Sequence, residues 1–325
     1  MKLLLLFILT CSYAFINGFN DSPSIVSPVI STRALNARLS LFLTAIGQVT
    51  GPFLIGTAVA RTVATRIVLP SSVNLNAVLA ALVAALVWSL FTWYLALPSS
   101  TSHALVGGMI GAVIAVHGIR AVILAGFLRV LGALLLSPPL GLLVSYLAVR
   151  IIRFLARDAK PRFNRQLQRW EPILMVLLGV THGASDAPKS FGIMILGLMA
   201  MGVLKSFSIP IWVLLPCLAS FALGTSVGGW RQINTLANRI YHIRPLHGFA
   251  SLIASSLVVF GAASVGGPIS TSQVVASAIL GAGAGERLNM VRWLILKDML
   301  IAWVITIPAT GLIAMSLTSL FGRIS

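Results

Sequence analysis

The chain has 325 residues, of which 58% are hydrophobic and 9% are charged. Soluble domains carry about a quarter charged residues, so this composition excludes an ordinary soluble protein. A formal net charge of +17 would suit a nucleic-acid binder, but the placement of the basic residues argues against that class.

Apolar segments follow one another along the chain and predict an all-α polytopic protein of the plasma or inner membrane, in contact with lipid. A bilayer span needs roughly 20 mostly apolar residues, and several segments are shorter than that. The short ones adjoin Gly, Pro, Ser and Asp clusters, which indicates broken helices around a buried or wet site. The segments are 3–17, 39–60, 76–97, 104–117, 119–136, 138–155, 172–182, 190–204, 207–227, 248–264, 274–284 and 292–321.

The densest run of basic residues lies between the apolar segments 138–155 and 172–182. Excess Lys and Arg in a short connection mark the cytoplasmic side of a membrane. We interpret the run as a cytoplasmic linker at 151–170 between a membrane repeat at 1–150 and a second at 171–325, with no nucleic-acid partner. Its basic residues are Arg150, Arg153, Arg157, Lys160, Arg162, Arg165 and Arg169, with Asp158 the one acid among them.

Two motifs occur twice in the same order, which indicates an internal duplication. Residues 18–23 (Gly-Phe-Asn-Asp-Ser-Pro) match 183–188 (Gly-Ala-Ser-Asp-Ala-Pro) at an offset of 165. Residues 98–103 (Pro-Ser-Ser-Thr-Ser-His) match 268–273 (Pro-Ile-Ser-Thr-Ser-Gln) at an offset of 170. The connection 228–247 is more basic than its counterpart 61–72, which favours inverted repeats. Further pairs are Gly111 with Gly281, Pro138 with Pro308, Gly141 with Gly311, and Gly56-Thr57 with Gly224-Thr225.

Asp21 and Asp186 occupy equivalent positions in apolar surroundings, and each is followed at the second position by proline. An ionisable group at membrane depth is costly and indicates function. We expect a half-helix, a break that holds the Asp, and a second half-helix. Asn20 and Ser185 add neutral oxygens, so each group could bind a hard cation such as sodium or exchange a proton. The alternative is an Asp that only caps a helix.

Hydroxyl groups cluster where two apolar helices are predicted to begin. A helix N-terminus offers free N–H groups and a partial positive charge, which together bind anions. Two such ends would surround a tetrahedral oxyanion with donors, although serine caps or hydroxyls that join helices would give the same pattern. The residues are Ser99, Ser100, Thr101, Ser102, Ser270, Thr271 and Ser272.

The doubled Gly-x-Asn-Asp and Pro-x-Ser-Thr-Ser/Thr-His motifs resemble those of the PiT-type inorganic phosphate transporters, as do residues 228–231 and 245–249. The resemblance implies inverted repeats with re-entrant helical segments, usually in a homodimer. It implies phosphate uptake driven by sodium or protons, with no cofactor beyond that ion. By position, Asn20, Asp21 and Asp186 would couple the cation, and Asp21 and Asp186 would bind sodium. The phosphate ligands would be Ser100, Thr101, Ser102, Ser270, Thr271 and Ser272.

The chain departs from that pattern at Ser185, Lys189 and Gln273. Lys189 lies one helical turn after Asp186, where the family usually has Asn, and Ser24 is its counterpart in the first repeat. Lys189 would either neutralise Asp186 in an ion pair, or act as a tethered cation that replaces a coupling ion or attracts the anion.

Three rival functions remain open from the sequence. A sulfate permease, or a carrier of another tetrahedral oxyanion, would use the same site. An intramembrane hydrolase built on a serine, His103 and an Asp is disfavoured, because His103 is not repeated whereas the Asp and hydroxyl motifs are. A passive channel would lack ion coupling. The expected class is therefore a secondary transporter and not an enzyme.

Overall fold

The computed structural model describes residues 1–95, 99–159, 162–236 and 241–324. Pro98 and Lys160 of the motifs above lie outside these residues. Within the described parts, twelve α-helices form two series of six that correspond in order. The first series is α1 (Lys2–Ser31), α2 (Ala37–Leu54), α3 (Ala58–Thr65), α4 (Leu75–Tyr94), α5 (Thr101–His117) and α6 (Leu124–Leu155). The second is α7 (Arg162–Ala200), α8 (Ile211–Val227), α9 (Trp230–Asn234), α10 (Pro245–Ser264), α11 (Thr271–Glu286) and α12 (Trp293–Ile324).

Five of the described helices are long and apolar enough to cross a bilayer, namely α1, α4, α6, α10 and α12. Helices α2 and α3 form a bent pair with an angle of 77° between them, as in a broken span or a re-entrant loop. The outer helices α6 and α12 leave most of their apolar surface uncovered by the rest of the chain. These features confirm the multi-pass all-α fold with a broken helix.

Helices α5 and α11 are too short to span. With 17 and 16 residues, they reach about 25 Å at 1.5 Å per residue, less than the hydrocarbon core. Both begin in the protein interior with buried first turns. Ser100 caps α5 by accepting a hydrogen bond from the backbone N–H of His103 at 3.1 Å. They are the re-entrant segments that the resemblance implied.

Helices of each repeat pack against helices of the other repeat. Helix α1 packs on α8 while its counterpart α7 packs on α2, and α5 packs on α12 while α11 packs on α6. Glycines at equivalent positions allow both approaches: a Cβ at Gly111 would lie 2.0 Å from the carbonyl oxygen of Gly311, and one at Gly281 would lie 2.1 Å from that of Leu142. This reciprocal packing is what a two-fold relation between repeats requires.

The pairing of Gly56-Thr57 with Gly224-Thr225 is wrong. A Cβ at Gly224 would lie 1.9 Å from the carbonyl oxygen of Phe15, and a Cβ at Gly51 would lie 2.1 Å from that of Val180. Because Phe15 and Val180 are equivalent at the offset of 165, Gly51 is the counterpart of Gly224. Gly56 instead follows α2 with a φ of 114°, in the bend before α3.

The expected helix breaks at Asp21 and Asp186 are also absent, since α1 and α7 continue through both residues. Pro23 removes the N–H that would pair with the carbonyl of Phe19. The hydroxyl of Ser22 donates to that carbonyl at 3.3 Å, so the freed acceptor is satisfied inside the helix. Proline is tolerated in buried membrane helices when side chains replace the lost bond in this way.

The described residues of the basic segment 151–170 are largely helical, because α6 continues to Leu155 and α7 includes the segment from Arg162 onward. Arg153 donates to the carbonyl oxygen of Glu286 at 3.1 Å, and thereby attaches the end of α6 to the end of α11.

Candidate functional site

Asp21 on α1 and Asp186 on α7 lie in one buried cluster, with His182 between them. The Nε2 atom of His182 lies 3.0 Å from Oδ2 of Asp186 and 3.6 Å from Oδ2 of Asp21. All three side chains are buried. One side-chain atom from each falls within 4.8 Å of the others, so the two carboxylates lie close enough to share a cation.

Sequence reasoning missed His182, although a signal was present. It lies four residues before Asp186, on the same helix face, and its counterpart at the offset of 165 is Asn17. The Oδ1 atom of Asn17 accepts a hydrogen bond from Thr101 Oγ1 at 2.6 Å, and Nδ2 donates to the backbone carbonyl of Asp186 at 3.3 Å. Asn17 therefore joins the two repeats directly.

Two residues from α2 and α8 set the orientation of the His182 ring. Thr225 Oγ1 donates to Gln48 Oε1 at 2.5 Å, which turns the amide nitrogen of Gln48 toward the imidazole. Gln48 Nε2 then donates to Nδ1 of His182 at 2.7 Å. A neutral imidazole that accepts at Nδ1 carries its proton on Nε2, so His182 presents an N–H toward the carboxylates.

The first turns of α5 and α11 meet this cluster with symmetric threonines. Thr271 Oγ1 donates to Oδ2 of Asp186 at 2.5 Å, and Thr101 Oγ1 lies 3.3 Å from Oδ2 of Asp21. The predicted anion-binding hydroxyls and the predicted cation-binding carboxylates therefore lie in direct contact. Each threonine hydroxyl is engaged by protein acceptors in this conformation.

Lys189 is buried and forms an ion pair with Oδ1 of Asp186. Its Nζ atom also donates to the hydroxyl of Ser102 at 2.5 Å and to the backbone carbonyl of Ile269 at 2.6 Å. Of the two interpretations drawn from the sequence, the ion pair with Asp186 is present. The lysine also bridges the tips of both re-entrant segments.

The remaining serines near the tips mostly contact one another. Ser272 Oγ donates to the carbonyl of Ser99 at 3.4 Å, and Ser270 Oγ lies 3.3 Å from Ser272 Oγ. Ser99 Oγ points to Thr306 at 3.5 Å. The hydroxyl of Ser100 caps α5 and contacts the ring of His103, so it is engaged within its own helix in this conformation.

Several buried polar atoms of the site have no hydrogen-bond partner among the described residues. Asn20 donates through Nδ2 to the carbonyl of Ser89 at 3.3 Å, but its Oδ1 is unpaired. The Oδ1 atom of Asp21 and the hydroxyl of Ser185 are unpaired as well. Unpaired buried oxygens are costly unless another group satisfies them, which is consistent with a site built for a ligand.

One cavity lies beside α9, and another lies beside its counterpart α3. The one beside α9 has a volume of about 820 Å³ and includes Arg33 and Arg244, while the one beside α3 has about 370 Å³ and includes Arg61 and Arg66. Both are therefore lined in part by basic side chains, which attract anions. Beside α3, Arg61 stacks on Phe207 with 5.3 Å between the guanidinium carbon and the ring centre.

Comparison with known proteins assigns this arrangement to a family. The phosphate transporter family matches residues 17–180 and 173–314, which correspond closely to the two helix series. The chain is 37% identical to a probable low-affinity inorganic phosphate transporter of Bacillus subtilis (strain 168), over 96% of this chain and 95% of the relative. It is 34% identical to a protein of the same description from Rhizobium meliloti (strain 1021), over 93% and 91%. A solved structure titled "The sodium-dependent phosphate transporter" has the same fold, with a TM-score of 0.90, 22% identity and full coverage of both chains. The chain belongs to the phosphate transporter family.

Proposed function

We propose that this protein moves inorganic phosphate across the cell membrane by alternating access, coupled to sodium or protons. The observation that carries the proposal is the contact between two buried carboxylates and the hydroxylated tips of two re-entrant helices, at the interface of the repeats. The two relatives, both probable low-affinity inorganic phosphate transporters, support phosphate as the substrate. Family membership supports transport and not catalysis.

The carboxylates make coupling necessary. Asp21 and Asp186 carry two negative charges against the one positive charge of Lys189. At a separation near 6 Å and an effective dielectric near 20, each unfavourable pair of unit charges costs roughly 3 kcal/mol. A cation bound at Asn20, Asp21, Ser185 and Asp186 removes that repulsion. It also competes for the carboxylate oxygens, which releases Thr101 and Thr271 to donate to phosphate.

The anion then binds between the two helix tips. The N-termini of α5 and α11 supply backbone N–H groups, and the phosphate ligands are Ser99, Ser100, Thr101, Ser102, Ser270, Thr271 and Ser272. Movement of the repeat at 1–150 against the repeat at 171–325 would open this position to each side in turn. The packing of α1 on α8 and of α7 on α2 supports such a motion, because each repeat can adopt the conformation of the other.

The uncovered apolar faces of α6 and α12 suit lipid or a second copy of the chain, and we include both contacts in the proposal. Light scattering of the purified protein with the detergent contribution subtracted tests the dimer. A monomeric mass would remove the second copy and leave lipid as the neighbour of these faces.

The decisive experiment is uptake of radiolabelled phosphate into proteoliposomes under imposed sodium and proton gradients. Uptake should follow one of these gradients, and arsenate should compete because it has the same shape and protonation. Excess sulfate should not compete, because sulfate carries no proton at neutral pH. Saturable uptake of labelled sulfate without uptake of phosphate would replace the proposal with a sulfate permease. Phosphate flux that depends on neither gradient would indicate a channel.

A further inference from the structure

We infer that the Lys189 ammonium occupies a coupling-cation position in the second repeat, and that the equivalent position at Asp21 in the first repeat binds one sodium ion. The inference rests on the proposed function, because it concerns the ions that accompany phosphate. It means that this chain couples to one sodium fewer than its doubled site would allow.

The surroundings of the Lys189 ammonium are those of a small cation. Its three N–H groups meet a carboxylate oxygen of Asp186, the hydroxyl of Ser102 and the backbone carbonyl of Ile269. Carboxylate, hydroxyl and carbonyl oxygens are also the ligands of hard metal cations. An ammonium has three donors, and all three are used here, so none is left to attract the phosphate. This geometry argues against Lys189 as a direct substrate ligand.

The symmetry-related position at Asp21 has the same three oxygen types, drawn from both repeats. The counterparts are Asp21 for Asp186, Ser272 for Ser102 and Ser99 for Ile269, at the offsets of 165 and 170. The hydrogen bond between tips is repeated as well. Ser102 Oγ donates to the carbonyl of Ile269 at 3.0 Å, and Ser272 Oγ donates to the carbonyl of Ser99 at 3.4 Å. The two positions are therefore related by the pseudo-symmetry of the fold.

What differs is the side chain that supplies the positive charge. Ser24 takes the place of Lys189 in the first repeat, and its hydroxyl donates to the backbone carbonyl of Asp21 at 2.7 Å. The Oδ1 atom of Asp21, equivalent to the atom that pairs with Lys189, has no hydrogen-bond partner among the described residues. Asp21 is only 2% exposed. A buried carboxylate oxygen without a partner is costly, and a sodium ion with one positive charge would satisfy it as Lys189 satisfies Asp186.

The test counts sodium ions in wild type, Lys189→Asn and Ser24→Ala. Purified protein is titrated with labelled sodium, and initial phosphate uptake is measured in proteoliposomes at sodium concentrations well below half-saturation. We expect one sodium bound per wild-type chain and two per Lys189→Asn chain. A tenfold reduction in sodium should lower uptake about tenfold in wild type and about a hundredfold in Lys189→Asn, by mass action. Ser24→Ala, which loses only a hydroxyl bound to its own helix, should behave as wild type.

Two sodium ions in wild type, or one in a folded Lys189→Asn chain, would overturn the inference. Wild type that binds no sodium would overturn the position at Asp21. If Lys189→Asn does not fold, the number of sodium ions bound by wild type and the net charge moved per phosphate still test the inference. Lys189→Gln then replaces Lys189→Asn in the titration. An absence of phosphate uptake under every gradient, with one sodium bound, would count against the proposed function alone.

Discussion

Asp21 and Asp186 have the same sequence context but different partners. Asp186 pairs with Lys189 and accepts a hydrogen bond from Thr271, whereas one oxygen of Asp21 has no partner among the described residues. Breaking one member of a buried ion pair leaves an uncompensated charge, while neutralising an unpaired carboxylate does not. The two aspartates should therefore respond differently to the same substitution.

We expect Asp186→Asn to destabilise the protein by about 3–5 kcal/mol, because it leaves the Lys189 ammonium buried without its counter-charge. Asp21→Asn should retain the wild-type unfolding temperature and lose coupled uptake. Thermal unfolding in detergent and uptake in proteoliposomes measure the two effects. Combining Asp186→Asn with Lys189→Met should recover most of the lost stability. Equal destabilisation by both single substitutions would contradict the assigned pairing.

The orientation of His182 depends on Gln48, and this supports a second prediction. Gln48→Glu supplies only acceptors to Nδ1, so it favours a ring whose proton lies on Nδ1 and whose Nε2 lone pair faces the carboxylates. Loss of such supporting bonds typically lowers affinity or activity about 10–100-fold, so we expect uptake to fall within that range. Uptake should fall less in Gln48→Met, because methionine imposes neither tautomer on His182. A larger loss of uptake in Gln48→Met than in Gln48→Glu would contradict the proposed role of Nδ1.

At the scale of helices, the repetition of short motifs predicted the duplication and the equivalence of Asp21 and Asp186, and the family resemblance implied the re-entrant segments. It did not reveal that α1 continues past Asp21, because the hydroxyl of Ser22 replaces the bond lost at Pro23 and no local pattern announces this. The pairing of Gly56 with Gly224 was also wrong, because a shared Gly-Thr pair does not show which glycine lies at a helix contact. His182 has no repeated signal in the sequence, because its counterpart at the offset of 165 is Asn17, which does not ionise.

The glycine contact between α5 and α12 predicts a specific loss of stability. In Gly111→Ala the added Cβ would lie 2.0 Å from the backbone carbonyl of Gly311, so the helices must separate. Such overpacking costs about 1–3 kcal/mol, against a gain of up to about 1 kcal/mol from better helix propensity. The matched control is Gly132→Ala on α6, where the added atom meets nothing within 4 Å. A lower unfolding temperature for Gly132→Ala than for Gly111→Ala would contradict this account.

At the scale of the whole molecule, the two repeats are alike in fold but differ in the size of the cavities beside them. Asp21 and Asp186 are both buried, so neither side reaches them freely in this conformation. The basic cavity beside α9 has a volume of about 820 Å³, and the one beside α3, where Arg61 stacks on Phe207, has about 370 Å³. A two-fold relation between the repeats implies a second conformation in which these differences are reversed.

Distances across the two cavities should therefore change in opposite directions during transport. Spin labels at Arg33 and Trp230 report the cavity beside α9, and labels at Arg61 and Phe207 report the approach beside α3, in a background with Cys11→Ser and Cys217→Ala. In the proposed mechanism sodium and phosphate bind where the repeats meet, so they should shift the population of the two conformations. Adding both should shorten one distance while lengthening the other, as measured by pulsed electron resonance in lipid nanodiscs. The same addition to Asp21→Asn should leave both distances unchanged, because the proposed mechanism requires a bound cation before phosphate binds. Parallel changes at both pairs would mean that the protein tightens or loosens as a unit, and they would contradict alternating access by exchange of the repeats.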